Sequence, residues 1–110
     1  MRLLKRIMDS DPNIRHSIIS DNEGKILAIH HRPGVTNYLS KEETEASLIR
    51  AAVAWKRRKE LAPKIGKGLY AIAAFEKITR MTFPLGEDNL IFVKLKYSLL
   101  ICWIFLLLHP

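Results

Sequence analysis

A chain of 110 residues has room for one buried core and not for two. Its 48% hydrophobic and 26% charged residues exclude a disordered composition, and its single cysteine, Cys102, excludes an internal disulfide and any multi-cysteine metal site. A net charge of +7 and a pI near 9.8 raise a nucleic-acid or anionic-membrane reading, which depends on where the bases lie.

The first ten residues, MRLLKRIMDS, put Leu3, Leu4, Ile7 and Met8 on one side of a short helix that Asp11-Pro12 ends. A helix this short is stable only when docked. Its charges interrupt any continuous apolar run, so no signal peptide is expected, and a reducing, cytoplasmic setting fits the lone cysteine. Ile14 to Ser20 and Lys25 to His31 are β-rich runs separated by Asp21-Asn22-Glu23-Gly24, a hairpin signal. Alternation groups Ile14, His16 and Ile18 on one face of the first strand, and Ile26, Ala28 and His30 on one face of the second. Arg32 to Leu39, with Pro33-Gly34 and Asn37, reads as a loop.

The stretch from Ser40 to Leu61 is the long helix of the chain. Ser40 with Glu43 three residues on is a capping-box pattern, so the helix begins near Lys41. Glu42, Glu43 and Glu45 precede Lys56, Arg57, Arg58 and Lys59, an order that suits the helix dipole. Pro63, Gly66 and Gly68 put the stop near Leu61. Leu48, Ile49, Ala52, Val53 and Trp55 recur at helical spacing and form the apolar face, which a β-sheet would cover.

Beyond the helix, Gly68 to Phe75, Lys77 to Phe83 and Leu90 to Leu95 read as strands, with Glu76-Lys77 and Pro84 to Asn89 as turns. Strand connections this short do not allow parallel crossovers, so the order α-β-β-α-β-β-β predicts an α+β domain. That domain is a five-stranded antiparallel sheet with helices on one face, over residues 1–96. Residues 97–110 form an apolar tail of a different character. Its run from Tyr97 to Leu108, YSLLICWIFLLL, falls short of the ~20 apolar residues a spanning helix needs. Three readings stay open for it: a segment packed in the core or a dimer seam, an interfacial membrane contact, or a truncated or non-native end.

The runs IRHSIISDNEGKILAIHHRPGVTNYLSKEE, KRRKELAPKIG and KITRMTFPLGEDNLIFV resemble the roadblock / dynein light-chain domains, which have a profilin-like fold. Within that group they resemble a family of small archaeal proteins of unassigned function. The likeness covers roughly residues 10–96 and is carried by Asp21 to Gly24, Gly34-Val35, the Ser40 cap, the Arg-Lys-rich helix end and Phe83-Pro84-Leu85. It implies a homodimer with a regulatory or scaffold role, serving a small Ras-like GTPase. It implies no catalytic residue and no cofactor. The departure is the charge-free run from Tyr97, where such domains close with an amphipathic helix.

Chemistry-bearing constellations are sparse. His30 and His31, adjacent in a strand, point to opposite faces, while His16 and His30 could share one across the hairpin; no carboxylate or cysteine completes a metal site. Gly66-Lys67-Gly68 is a fragment of a phosphate-binding loop without the rest of its motif. No serine stands in a nucleophile elbow, and Cys102 in apolar surroundings is inert. Tyr38, Trp55 and Tyr70 read as core contacts rather than base-stacking groups. The strongest candidate surface is basic. From Lys56 to Lys67, six bases (Lys56, Arg57, Arg58, Lys59, Lys64, Lys67) face a single acid, Glu60, and hold five of the seven net charges. They suit a solvated helix end or a phosphate-facing patch. The expected function is therefore a non-catalytic dimerising module, with nucleic-acid or anionic-membrane-surface binding through this segment as the alternative.

Overall fold

A computed structural model describes residues 2–96 and 107–108. Five strands form one antiparallel sheet: β1 (Ile14–Asp21), β2 (Ile26–His31), β3 (Ala71–Ala74), β4 (Thr79–Leu85) and β5 (Asn89–Leu95), in the order β2-β1-β5-β4-β3. The first hairpin and the β3-β4-β5 meander meet where β1 pairs with β5. Between them α2 (Lys41–Lys59) carries the chain from the β2 edge to the β3 edge.

The first two helices take opposite faces. On β5, Ile91 and Val93 pack with Leu4 and Met8 of α1 (Arg2–Ser10), while the alternate residues Leu90 and Phe92 pack with Leu48, Ala52 and Trp55 of α2. The expectation of helices on a single face thus holds for α2 and not for α1. Docking is what stabilises so short a helix. The Ser17 hydroxyl donates to the Leu4 carbonyl at 3.2 Å. At the other end the Arg32 guanidinium donates to the Met8 carbonyl at 2.6 Å, the Asp11 carbonyl at 3.1 Å and the Ile14 carbonyl at 2.7 Å, so a cation satisfies acceptors where the dipole is negative.

Two bulges overturn the simple alternation. Between Ile14 and His16, β1 advances two residues while β5 advances one, from Leu95 to Lys94. Ile14 therefore joins the α1 face while His16 and Ile18 stay on the α2 face. In β2 the residues Ala28 and Ile26 oppose Ile19 and Ser20, so the register slips at Leu27 and Ile26 and Ala28 part to opposite faces.

The Ser40 capping box is formed in both directions: the Glu43 N–H donates to Ser40 Oγ at 3.1 Å and the Ser40 N–H to the Glu43 carboxylate at 2.9 Å. Of the five apolar residues expected to face the sheet, Leu48, Ala52 and Trp55 are buried, whereas Ile49 and Val53 are 49% and 46% exposed. Past α2 the helical path resumes as α3 (Ala62–Ile65), where the sequence pattern places only a stop at Pro63; in the first turn of a new helix a proline lacks nothing. β3 starts at Ala71 rather than Gly68, and β4 extends through Pro84 to Leu85. Proline is tolerated there because β3 pairs with β4 only as far as Thr82, so among the described residues one side of Pro84 has no neighbour strand. The tail readings and Cys102 lie outside the described residues. Among the described residues no helix is long and apolar enough to cross a membrane.

Candidate functional site

All six bases of the predicted patch are exposed. Arg58, Lys59 and Lys67 come together around a groove of about 450 Å³ with Trp55, Gly68 and the Gly86-Glu87 turn, while Lys56, Arg57 and Lys64 lie outside its walls. Lys59 Nζ donates to the Glu87 carbonyl at 3.4 Å, tying the end of α2 to the β4–β5 turn. Trp55 is buried, its ring 3.4 Å from where a Cβ on Gly68 would stand, as the core reading expected. Tyr38 and Tyr70 depart from that reading: both are more than half exposed, and Tyr70 lies beside Phe83 with 6.1 Å between ring centroids.

A second constellation assembles at the other end of α2. On the α2 face, His31, His16, Lys94 and Arg80 are successive cross-strand partners over β2, β1, β5 and β4. It is His31, not His30, that meets His16, because the β2 slip exchanges faces; His31 Nδ1 and His16 Nε2 are 3.1 Å apart and His31 Nε2 is 3.0 Å from the Val35 carbonyl. Burial and the neighbouring His31, Lys94 and Arg15 hold His16 well below its ordinary value, at about 4. Among the described residues no group of three or more His, Cys, Asp or Glu side chains converges.

Lys94 is 6% exposed. Burial first, and then the charges of Arg80 and Arg15, lower its pKa; Arg80 is likewise lowered by burial and by Arg50. The Arg80 guanidinium donates one N–H to Ser47 Oγ of α2, lies 6.0 Å from the Phe92 ring centroid, and its buried Nε has no partner among the described residues. Arg15 donates to the Thr36 carbonyl and stacks on Tyr38, whose ring also has Lys77 Nζ at 5.2 Å.

Arg80 and Lys94 line a cavity of about 410 Å³. Tyr38, Leu39, Phe75 and Ile78 give it an apolar wall, Ser47 a hydroxyl, and exposed Glu76 and Lys77 its remaining charges. Arg15, His16 and Lys94 line a smaller polar recess that shares Tyr38, Leu39 and Ile78 with it. The signal in the sequence was a lysine inside the apolar run LIFVKL, at the parity that faces α2. Its meaning depends on Arg80 and His16, which only the strand order β1-β5-β4 brings alongside.

The arrangement of sheet and helices is that of a roadblock/LC7 domain. No protein-family model matches the chain, and no curated protein matches it in sequence. Among solved structures, the gliding protein MglB of Thermus thermophilus superposes with a TM-score of 0.71 at 14% identity, over 86% of this chain and 69% of that one. A Roadblock/LC7 domain of Streptomyces avermitilis gives 0.66 at 9% identity, over 86% and 76%. MglB of Myxococcus xanthus gives 0.66 at 14% identity, over 94% and 81%. At these identities the likeness is one of fold, and the chain is roadblock-like in that sense.

Proposed function

We propose that residues 1–96 form a non-catalytic regulatory or scaffold module that pairs with a second copy of itself and serves a small Ras-like GTPase. The roadblock-like fold supports this reading, and one similar structure is described as MglB in a tetrameric arrangement. The observation that carries it is the edge strand β3. Among the described residues its outer backbone edge has no neighbour strand, and exposed Leu69, Tyr70, Ile72 and Phe75 cluster along it. An open edge flanked by apolar side chains is a template for pairing. Sedimentation of the intact chain at high micromolar concentration tests the pairing. A dimer that Ile72→Glu converts to monomer supports it; a strict monomer counts against it. A GTPase that co-purifies at equal stoichiometry, and is retained in nucleotide-dependent fashion after purification, supports the partner class.

A second reading, nucleic-acid or anionic-membrane binding through Lys56, Arg57, Arg58, Lys59, Lys64 and Lys67, is favoured by the convergence of Arg58, Lys59 and Lys67 on one groove. Contacts to several phosphates make affinity fall steeply with salt. A flat salt dependence, or no binding to duplex, single strand or anionic vesicles, removes this reading.

A further inference from the structure

We propose that the cavity floored by Lys94 and Arg80 is a binding site for a small organic phosphate, its phosphoryl group on the two cations and its apolar body against Tyr38, Leu39 and Ile78. A buried ammonium or guanidinium is retained at a stability cost unless paired or hydrogen-bonded, and an apolar residue of similar volume would serve the core better. Lys94 lines both the cavity and the smaller recess, and among their lining residues the one carboxylate, Glu76, is exposed. Arg80 spends one N–H on Ser47 and keeps its buried Nε unmet among the described residues. Two cations so placed form a floor that an incoming anion completes.

The charge count favours a phosphoryl dianion over a carboxylate. Lys94 and Arg80 are adjacent across the β4–β5 ladder, and Arg15 adds a third cation within range of Lys94. Charge-assisted donors from Lys and Arg suit phosphoryl oxygens, which offer more acceptors than a carboxylate. The Ser47 hydroxyl lines the same cavity. The volume of about 410 Å³ and the aromatic and aliphatic wall suit an organic ester rather than inorganic phosphate alone. The site shares no lining residue with the groove of the Lys56–Lys67 patch. Phe75 belongs both to its wall and to the apolar β3 edge, but Ile72, where pairing is tested, does not line it, so loss of pairing in Ile72→Glu and loss of phosphate binding in Lys94→Met are separate outcomes.

Calorimetric titration and thermal melting of the intact chain with phenyl phosphate test the site, with phenol as the neutral analogue and inorganic phosphate as the head alone. Binding of one phenyl phosphate per chain, stronger than either control, is expected. Lys94→Met should weaken it about tenfold or more, the range for loss of a charged hydrogen bond, while raising the melting temperature of the ligand-free protein. Lys5→Met, which removes one exposed charge from α1, should leave the affinity unchanged. If phenol binds as well as phenyl phosphate, if Lys5→Met weakens binding as much as Lys94→Met, or if no binding occurs at millimolar concentration, the site is overturned. Melting at a lower temperature in Lys94→Met with unchanged affinity overturns it too, since Lys94 would then be structural. Phosphatidic-acid vesicles form the last arm: sedimentation that depends on Lys94 supports phosphoryl recognition and assigns its source to a lipid headgroup.

Discussion

A Cβ on Gly24 would stand 2.7 Å from the Cα of Ile49, and equally close to the Leu48 carbonyl oxygen. The β1–β2 turn thus presses its backbone onto the middle of α2, and the φ of +91° at Gly24 adds a conformation that side chains resist. Asp21 shapes the approach by accepting the Glu23 and Lys25 N–H groups, each at 2.9 Å, on one carboxylate oxygen. Gly24→Ala meets backbone atoms that cannot rotate away. It should cost about 3 kcal/mol, combining strain with overpacking, and equilibrium urea unfolding at fixed protein concentration measures it.

Leu48 and Val53 belong to the same apolar stripe in the sequence but to different environments in the fold. Leu48 is fully buried against Ile18, Leu90 and Phe92, whereas Val53 is 46% exposed. Leu48→Ala should destabilise the chain by about 3 kcal/mol, the usual loss for a buried leucine. Val53→Ala should stay within about 0.5 kcal/mol. Equal effects of the two would contradict the observed orientation of α2. The same unfolding measurement decides it.

The contrast shows what local pattern conveys. The Ser40 cap, the Asp21–Gly24 hairpin and the apolar run of β5 are encoded within a few residues each, and all three were legible. The width of the apolar stripe on α2 was not, because periodicity marks every apolar residue on a side and the sheet contacts only the 48-52-55 line. The faces of Ile14 and Ile26 depend on bulges that no glycine or proline announces. The Lys94–Arg80 floor was hidden for a further reason: the two cations face each other across the β4–β5 hairpin, but Ser47, Tyr38 and Leu39 around them come from α2 and the loop before it, and His16 reaches Lys94 only through the β1–β5 pairing, which spans the whole of α2.

Ser40 and Glu43 satisfy each other's backbone N–H groups at the start of α2. Those hydrogen bonds, from backbone first and side chain next, hold the Glu43 carboxyl below its ordinary value. Ser40→Ala should destabilise the fold by about 1 kcal/mol, whereas Ser40→Asp, another good cap, should retain most of the stability. Helix content near neutral pH should be unchanged in both, since the loss concerns the first turn; circular dichroism with urea titration separates the two quantities.

His16 gives the fold a pH dependence of definite sign. In the unfolded chain an imidazole takes up its proton below about 6.5, but in the fold burial and the neighbouring His31, Lys94 and Arg15 hold His16 to about 4. Between those values the unfolded state binds more protons than the native one, so stability falls as the pH is lowered from about 6.5 to about 4. Because His16 is only half-buried, solvent screening reduces the contribution to the order of 1 kcal/mol. His16→Gln removes the proton-binding group and should flatten the profile over that range while changing stability at pH 8 far less. The check is a series of urea midpoints for both proteins from pH 8 to pH 4; parallel profiles would show that His16 takes up its proton as readily in the fold as in the open chain.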